Sequence, residues 1–418
     1  MTETPELDQE DLLNANNSET SLGDYFRSWG IRIRSGDIGS LPIIGGLIII
    51  ALLFYTLEPL FFSSRNFVNL LLQMAGITTL AIGIVFVLLI AEIDLSIAWV
   101  SGVGAVVMVL LLRPVPSGPE WPWPLALGVG LIVTTTIGFV QGTIITRSGV
   151  PSFIVTLAGL LIWSGVVLIL TTEFSTSGAI VIQDDTIVGV ANTFLPALWG
   201  WVLFGVIIIL YAGSQWLQRR SLKQQGLPTG PTLILVLQIL GVAAAMGFAV
   251  WYANQDRGVP TVSVIILILL VFWSFIAGRT RFGRYVYAVG GNPEAARRAG
   301  IDVRKIKVRV FMIAGLMAGI GGVILASRLR SVDPNSGGGN LLLNAIAAAV
   351  IGGTSLFGGS GRVMSAFLGA LVIASVENGM GLLGLPAGVK FVVNGLVLLA
   401  AVLIDAFARR RREESGIA

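Results

Sequence analysis

Twelve apolar runs divide the chain between Leu41 and Phe407, and some of them, such as residues 43–55 and 262–276, hold no charged side chain. About 20 apolar residues are what an α-helix needs to cross the roughly 30 Å hydrocarbon core of a bilayer. In lipid every backbone N–H and C=O must find its partner within the protein, so only helices and closed barrels cross. Barrel strands alternate apolar and polar positions, which these runs do not. With 55% hydrophobic and 12% charged residues, against roughly 25% charged in soluble domains, the chain reads as an all-α, polytopic membrane protein of about 12 transmembrane helices. Beginning and ending approximately, the runs are 41–57, 67–90, 96–112, 125–146, 153–170, 198–217, 231–252, 262–277, 306–326, 341–356, 363–383 and 389–407. The tenth is short and glycine-rich, so a re-entrant or broken segment is an alternative for it.

Residues 1–40 hold Glu3, Glu6, Asp8, Glu10, Asp11, Glu19 and Asp24 with no apolar run, and read as a disordered cytoplasmic tail. The first apolar stretch follows it with no small-residue cleavage site, as expected of an uncleaved anchor. Residues 41–408 form the membrane domain and residues 409–418 a basic cytoplasmic tail. Placing the N-terminus in the cytoplasm leaves only Arg65, Arg113, Arg257, Arg328, Arg330 and Lys390, of 27 Lys and Arg, on the other side. The positive-inside rule therefore puts both termini in the cytoplasm. Trp121 and Trp123 then fall at the outer interface, where indole rings anchor spans. A net charge of +4 gives no support for nucleic-acid binding.

The chain has no Cys and no His, which removes disulfides, thiol nucleophiles, imidazole bases and the usual metal ligands. No metal or cofactor site is expected, and no enzymatic one. Ion-driven carriers hold several ionisable groups near the bilayer midplane; here Glu377 is the one carboxylate near the middle of a run. It reads either as a buried carboxyl paired with a neighbour such as Asn378 or as a polar lining of a permeation path. Residues 353–360 have phosphate-loop glycine spacing, but Gly359 stands where the loop's Lys belongs. ATP hydrolysis, if it drives this protein, belongs to a separate subunit.

The most hydrophilic stretch within the membrane domain is residues 279–309. Asn292 suits an N-cap, Pro293 the first helical position, Glu294 the positive helix end, and Gly300 a stop. The reading is a two-turn helix across the cytoplasmic face, with Ala295, Ala296 and Gly300 as small contact points and Ala296 facing water. Such a helix fits a groove of a partner protein; the plainer reading is a basic loop that only fixes topology. Asp94 and Ser96, and the glycines of 352–361, interrupt apolar runs near the same side. They suit a gate or a hydroxyl-rich path, or are tight inter-helix turns. Gly315, Gly319 and Gly322 read as a helix-packing face.

Three segments in this order, residues 92–96 (EIDLS), 290–301 (GGNPEAARRAGI) and 351–361 (IGGTSLFGGSG), resemble the ABC sugar-importer permeases of the ribose, galactose and xylose branch, and the likeness covers residues 40–408. It implies a permease subunit that translocates a monosaccharide, a pentose such as xylose, in the cell inner membrane. The implied partners are a cytoplasmic ABC ATPase, a periplasmic or extracellular sugar-binding protein and a second copy of the chain. It maps ATPase coupling to Gly290, Gly291, Asn292, Ala295, Ala296, Arg297, Gly300 and Ile301. The candidate path or gate is Asp94, Ser96, Gly352, Gly353, Thr354, Gly358, Gly359, Glu377 and Asn378. Two features depart from the family pattern. Its Gly-Gly-Ile-Asp-Leu-Ser is Ala91, Glu92, Ile93, Asp94, Leu95 and Ser96 here, which stiffens the break. An additional pair of runs, 198–217 and 231–252, is added to a 10-span core, as in xylose-type permeases. A secondary, ion-coupled sugar carrier is the rival reading.

Overall fold

The structure, a computed structural model, describes residues 41–175, 178–227 and 229–414. The expected acidic tail, residues 1–40, lies outside the described residues, as do the last four of the expected basic tail. Every apolar run is a helix: α1 (Leu41–Leu57), α2 (Ser64–Leu89), α3 (Ile97–Leu112), α4 (Trp123–Ser148), α5 (Ser152–Phe174), α7 (Ala197–Gln224), α8 (Thr232–Ala253), α9 (Thr261–Arg279), α12 (Val303–Leu329), α13 (Leu341–Ile351), α14 (Met364–Leu382) and α15 (Ala387–Glu414). Three helices are polar or short: α6 (Asp185–Asn192), α10 (Arg281–Gly291) and α11 (Pro293–Arg298). Two-residue strands β1 (Ile180–Val181) and β4 (Ser331–Val332) pair antiparallel; strands β2 (Phe194–Leu195) and β3 (Val259–Pro260) are equally short.

Among the described residues eight helices are long and apolar enough to cross a membrane unaided. Four shorter apolar helices, Ile43–Leu57, Ile97–Leu112, Leu341–Ile351 and Ala387–Ala400, hold the remaining places. The tenth run is helical only to Ile351, not to residue 356, because Gly353 takes φ +97° and the chain leaves the helix there. At 1.5 Å per residue such a helix is about 16 Å long, half a hydrocarbon core.

The chain divides into two compact units. Residues Leu195–Val259 contribute a helical hairpin, α7 and α8, whose side chains are mostly exposed. The larger unit comprises Gly39–Phe194 and Pro260–Phe407. Within it Thr261 N–H donates to the Thr193 carbonyl (3.0 Å) and the two hydroxyls lie 2.8 Å apart. The larger unit is thus continuous across the insertion point, which is why a helical pair can be added without displacing its neighbours.

α2 and α12 form the centre of the larger unit: α12 packs on α4, α2 and α3, and α2 is buried along most of its length. The expected glycine packing face is present. A Cβ on Gly315 would overlap the Thr134 carbonyl, one on Gly319 would sit 2.5 Å from Thr134 Oγ1, and one on Gly322 would overlap the Ser101 carbonyl. Such contacts bring helix backbones close where lipid provides no hydrophobic drive for association. α6, which the apolar pattern did not reveal, is capped by Asp184 and held to α12 by Ser327, whose Oγ accepts from Ala191 N–H (2.8 Å) and donates to the Val188 carbonyl (2.9 Å).

Candidate functional site

The short helix of the basic segment forms as the residue types dictate. Asn292 Oδ1 accepts from the N–H groups of Glu294 (3.0 Å) and Ala295 (2.9 Å), capping α11. At the other end Gly300, at φ +82°, lets its N–H reach the Arg297 carbonyl (2.9 Å) while Ile301 N–H reaches that of Ala296 (3.0 Å). This paired closure of a helix end depends on a left-handed residue, for which glycine has no Cβ penalty. Ala295, Arg297, Arg298 and Ala299 are exposed. Ala296 is not: it is 4% exposed and belongs to the core of the larger unit, so the expectation that it faces water is corrected. In a helix this short, one face must rest on α12 and the α10 end, and Ala296 is on that face.

α10 carries the segment to that position. Thr280 caps it, and its apolar face of Gly283, Val286, Val289 and Gly290 is buried. A Cβ on Gly290 would overlap the Leu89 carbonyl at the end of α2. The same carbonyl accepts from Gly359 N–H (3.0 Å), and a Cβ on Gly359 would meet the Gly291 α-carbon at 2.9 Å. Tyr287 Oη donates to the Gly361 carbonyl (2.8 Å). Burial pushes the Tyr287 hydroxyl above its ordinary range, so it remains a neutral donor. The second and third motifs therefore meet the α2 end, three residues before the first motif, at one backbone-to-backbone junction of the α2 end, the α10–α11 corner and the glycine loop after α13.

At the α2–α3 break Ala91 takes φ +58°, where the family pattern has glycine; a left-handed alanine costs about 1 kcal/mol. Asp94 is buried, and its Oδ1 accepts from Ser96 N–H (2.8 Å) and Oγ (2.7 Å), a tight turn immediately before α3. Gln141 of α4 bonds Ser96 (2.9 Å), and Ser152 and Thr156 of α5 hold the backbone of Ile93. Glu92 and Lys307 form an ion pair with side chains 13% and 23% exposed. The pair lies in an open cavity of about 710 Å³ that Arg297, Asp302 and Arg304 also line. Asp302 caps α12, and the Lys305 N–H holds its carboxyl below the usual carboxylate range. Gly352 lies against the Ser365 carbonyl, and Thr354 is fully buried with its hydroxyl unpartnered.

Glu377 and Asn378 lie elsewhere in the larger unit and do not pair with one another. Asn378 exchanges amide bonds with Asn66 (2.7 and 3.0 Å) and reaches Gln73 (3.3 Å). Glu377 Oε1 accepts from Asn344 (2.7 Å) and Asn394 (3.1 Å). Asn66, Gln73, Asn344, Asn394 and Gln141 are not ionisable and were not among the expected site residues. Their signal was in the sequence, since Gln73, Gln141, Asn344 and Asn394 are amides inside apolar runs and Asn66 directly precedes one, where a buried polar group needs a partner.

A buried junction of glycine contacts beneath an exposed two-turn helix, on a polytopic helical scaffold, is the arrangement of a membrane permease. The family model described as branched-chain amino acid transport system / permease component matches residues 66–402. The xylose transport system permease protein XylH of Escherichia coli K12 is 39% identical over 409 residues, 96% of this chain and 100% of the relative. XylH of Haemophilus influenzae is 35% identical over 89% of this chain and 96% of its own. The ribose import permease protein RbsC of Escherichia coli K12 is 32% identical over 87% of this chain and 92% of its own. No solved structure matches the chain. The chain belongs to this permease family, as a ribose/xylose-type ABC permease of the inner membrane with multiple spans.

Proposed function

We propose that the chain is the membrane subunit of an ATP-driven ABC importer for a monosaccharide, with the pentose xylose as its cargo. The observation that carries the reading is the junction at Leu89, Gly290 and Gly359, because it links the exposed helix α11 to two interruptions of the bundle through backbone contacts. Backbone contacts without intervening side chains transmit displacement without rotamer slack. Ala295, Arg297, Arg298 and Ala299 meet the ATPase, and both chain termini share its cytoplasmic side. Nucleotide-driven movement of α11 displaces α10, the end of α2 and the loop 352–361 together, which reorients the break at Asp94 and Ser96. Hydrolysis belongs to the ATPase subunit, sugar arrives from an external binding protein, and two copies of the chain form the pathway.

The names of the relatives support a sugar and favour xylose. An ion-coupled carrier finds no support in them. The test is reconstitution in liposomes: the chain alone neither hydrolyses ATP nor accumulates xylose, and adding the ATPase and binding protein gives ATP-dependent accumulation. Uphill uptake driven by a proton or sodium gradient with no ATPase present refutes the importer.

A further inference from the structure

The inserted hairpin keeps its charge at one end. Among residues 195–255 the charged side chains are Arg219, Arg220 and Lys223, all basic and all in the last two turns of α7. Gly200 is the one buried residue of α7 and Ala253 the one of α8, so membrane lipid is the solvent for most of the hairpin surface. In the orientation proposed above, the basic end faces the cytoplasmic leaflet.

Between this end of α7 and the start of α8 lies an open cavity of about 210 Å³. Arg219 is half-buried in its wall, and its Nη2 donates to Thr232 Oγ1 (2.8 Å), which holds the guanidinium across the hairpin. Gln215, Gln218 and Gln238 also line the cavity, beside the apolar Ile234 and Leu235. These amides stand among side chains suited to lipid. Gln218 and Gln238 are exposed on helices that also expose Trp216, Leu217, Leu233 and Leu237, and a polar group facing hydrocarbon needs a hydrogen-bond partner. Gln215 lies about 6 Å along α7 from Arg219, and Gln238 about 9 Å along α8 from Thr232, at 1.5 Å per residue. Both steps lead away from the basic end and are comparable with the thickness of one polar headgroup layer.

The cavity thus offers a cation at its mouth and amide donors one headgroup layer beneath, with apolar side chains beside them. A phospholipid presents its phosphate and then its ester carbonyls in the same order. We infer that this cavity binds the headgroup of an anionic phospholipid of the cytoplasmic leaflet, with the phosphate at Arg219 and ester carbonyls accepting from Gln215 and Gln238. A guanidinium pairs with phosphate through two parallel N–H groups, while Arg220 and Lys223, outside the cavity, attract anionic lipid at longer range. Free phosphate matches Arg219 but has nothing for the amides. The site goes beyond the importer reading and needs only the membrane and its cytoplasmic leaflet.

The test is native mass spectrometry of the purified full-length permease, titrated with phosphatidylglycerol, phosphatidylcholine or glycerol 3-phosphate in enough salt to screen exposed charges. Phosphatidylglycerol is expected to bind about tenfold more tightly than phosphatidylcholine. Arg219→Gln erases that preference, and Arg220→Gln changes it by about twofold or less. Gln238→Leu, which suits a lipid-facing helix and so remains folded even if the Arg219 variant does not, weakens phosphatidylglycerol about threefold. Absence of the preference in the wild type overturns the inference. Equal losses in the two arginine variants assign the effect to a diffuse basic surface and overturn it, as does unchanged binding in Gln238→Leu. Glycerol 3-phosphate binding as tightly as phosphatidylglycerol makes this a site for a soluble phosphate. A permease dimer that Arg219→Gln dissociates while lipid is retained shows that a second copy fills the cavity, and likewise overturns the assignment. None of these readouts involves transport, so failure of the importer reading is seen separately.

Discussion

Two alanines one residue apart on α11 separate docking from folding. Ala295 is exposed and Ala296 is 4% exposed within the core of the larger unit. Replacing Ala296 by Trp forces an indole into a filled site beneath a two-turn helix whose closing bond is Ile301 N–H to the Ala296 carbonyl (3.0 Å). Overpacking of this kind costs about 1–3 kcal/mol, enough to unseat α11 from α12. Ala295→Trp adds the same ring to the solvent side, where substitutions change stability by about 0.5 kcal/mol or less. If α11 docks in the ATPase as proposed, its effect falls on the partner, since a groove that receives alanine cannot admit an indole. The assay is thermal unfolding of the purified permease together with retention of the ATPase and xylose uptake. Ala295→Trp is expected to unfold like the wild type, retain little ATPase and transport less than a tenth as much sugar. Ala296→Trp is expected to lower the unfolding temperature measurably. Normal ATPase retention and uptake by Ala295→Trp would show that α11 only fixes topology, and an unshifted Ala296→Trp would refute the packing argument.

Gly359→Ala places a Cβ 2.9 Å from the Gly291 α-carbon at a residue with φ +69°, so strain of about 1–2 kcal/mol adds to the overlap. Uptake per ATP hydrolysed in the reconstituted importer should fall at least fivefold; an unchanged ratio removes the junction from the coupling route. Lys307→Met leaves Glu92 mostly buried without its cation, a loss of about 1–3 kcal/mol. Adding Glu92→Gln to that variant should restore most of the unfolding temperature, and failure to do so assigns the loss to the lysine stem.

The sequence by itself determined the all-α membrane class, since apolar runs of this length have no other stable form in lipid. It also determined α11, because capping is local: Asn292, Pro293 and Gly300 act on residues within one turn. Even the shortness of α13 was legible in its glycines, although the point at Ile351 where it ends was set by the conformation of the next two residues. α6 was not legible, as eight mixed residues carry little periodicity and its hold on Ser327 is a contact across 136 positions. The side on which Ala296 lies was decided by tertiary structure, because a six-residue helix can roll either alanine inward and only its neighbours choose. The partners of Glu377 were decided in the same way. Adjacency in sequence put Asn378 beside it, but neighbours on a helix point about 100° apart, so Glu377 turned to Asn344 and Asn394 while Asn378 turned to α2. The meeting of Leu89, Gly290 and Gly359 likewise needed the folded bundle: both glycine motifs could be read in the chain, but their backbone contact with the end of α2 exists only where three helix ends arrive at one place.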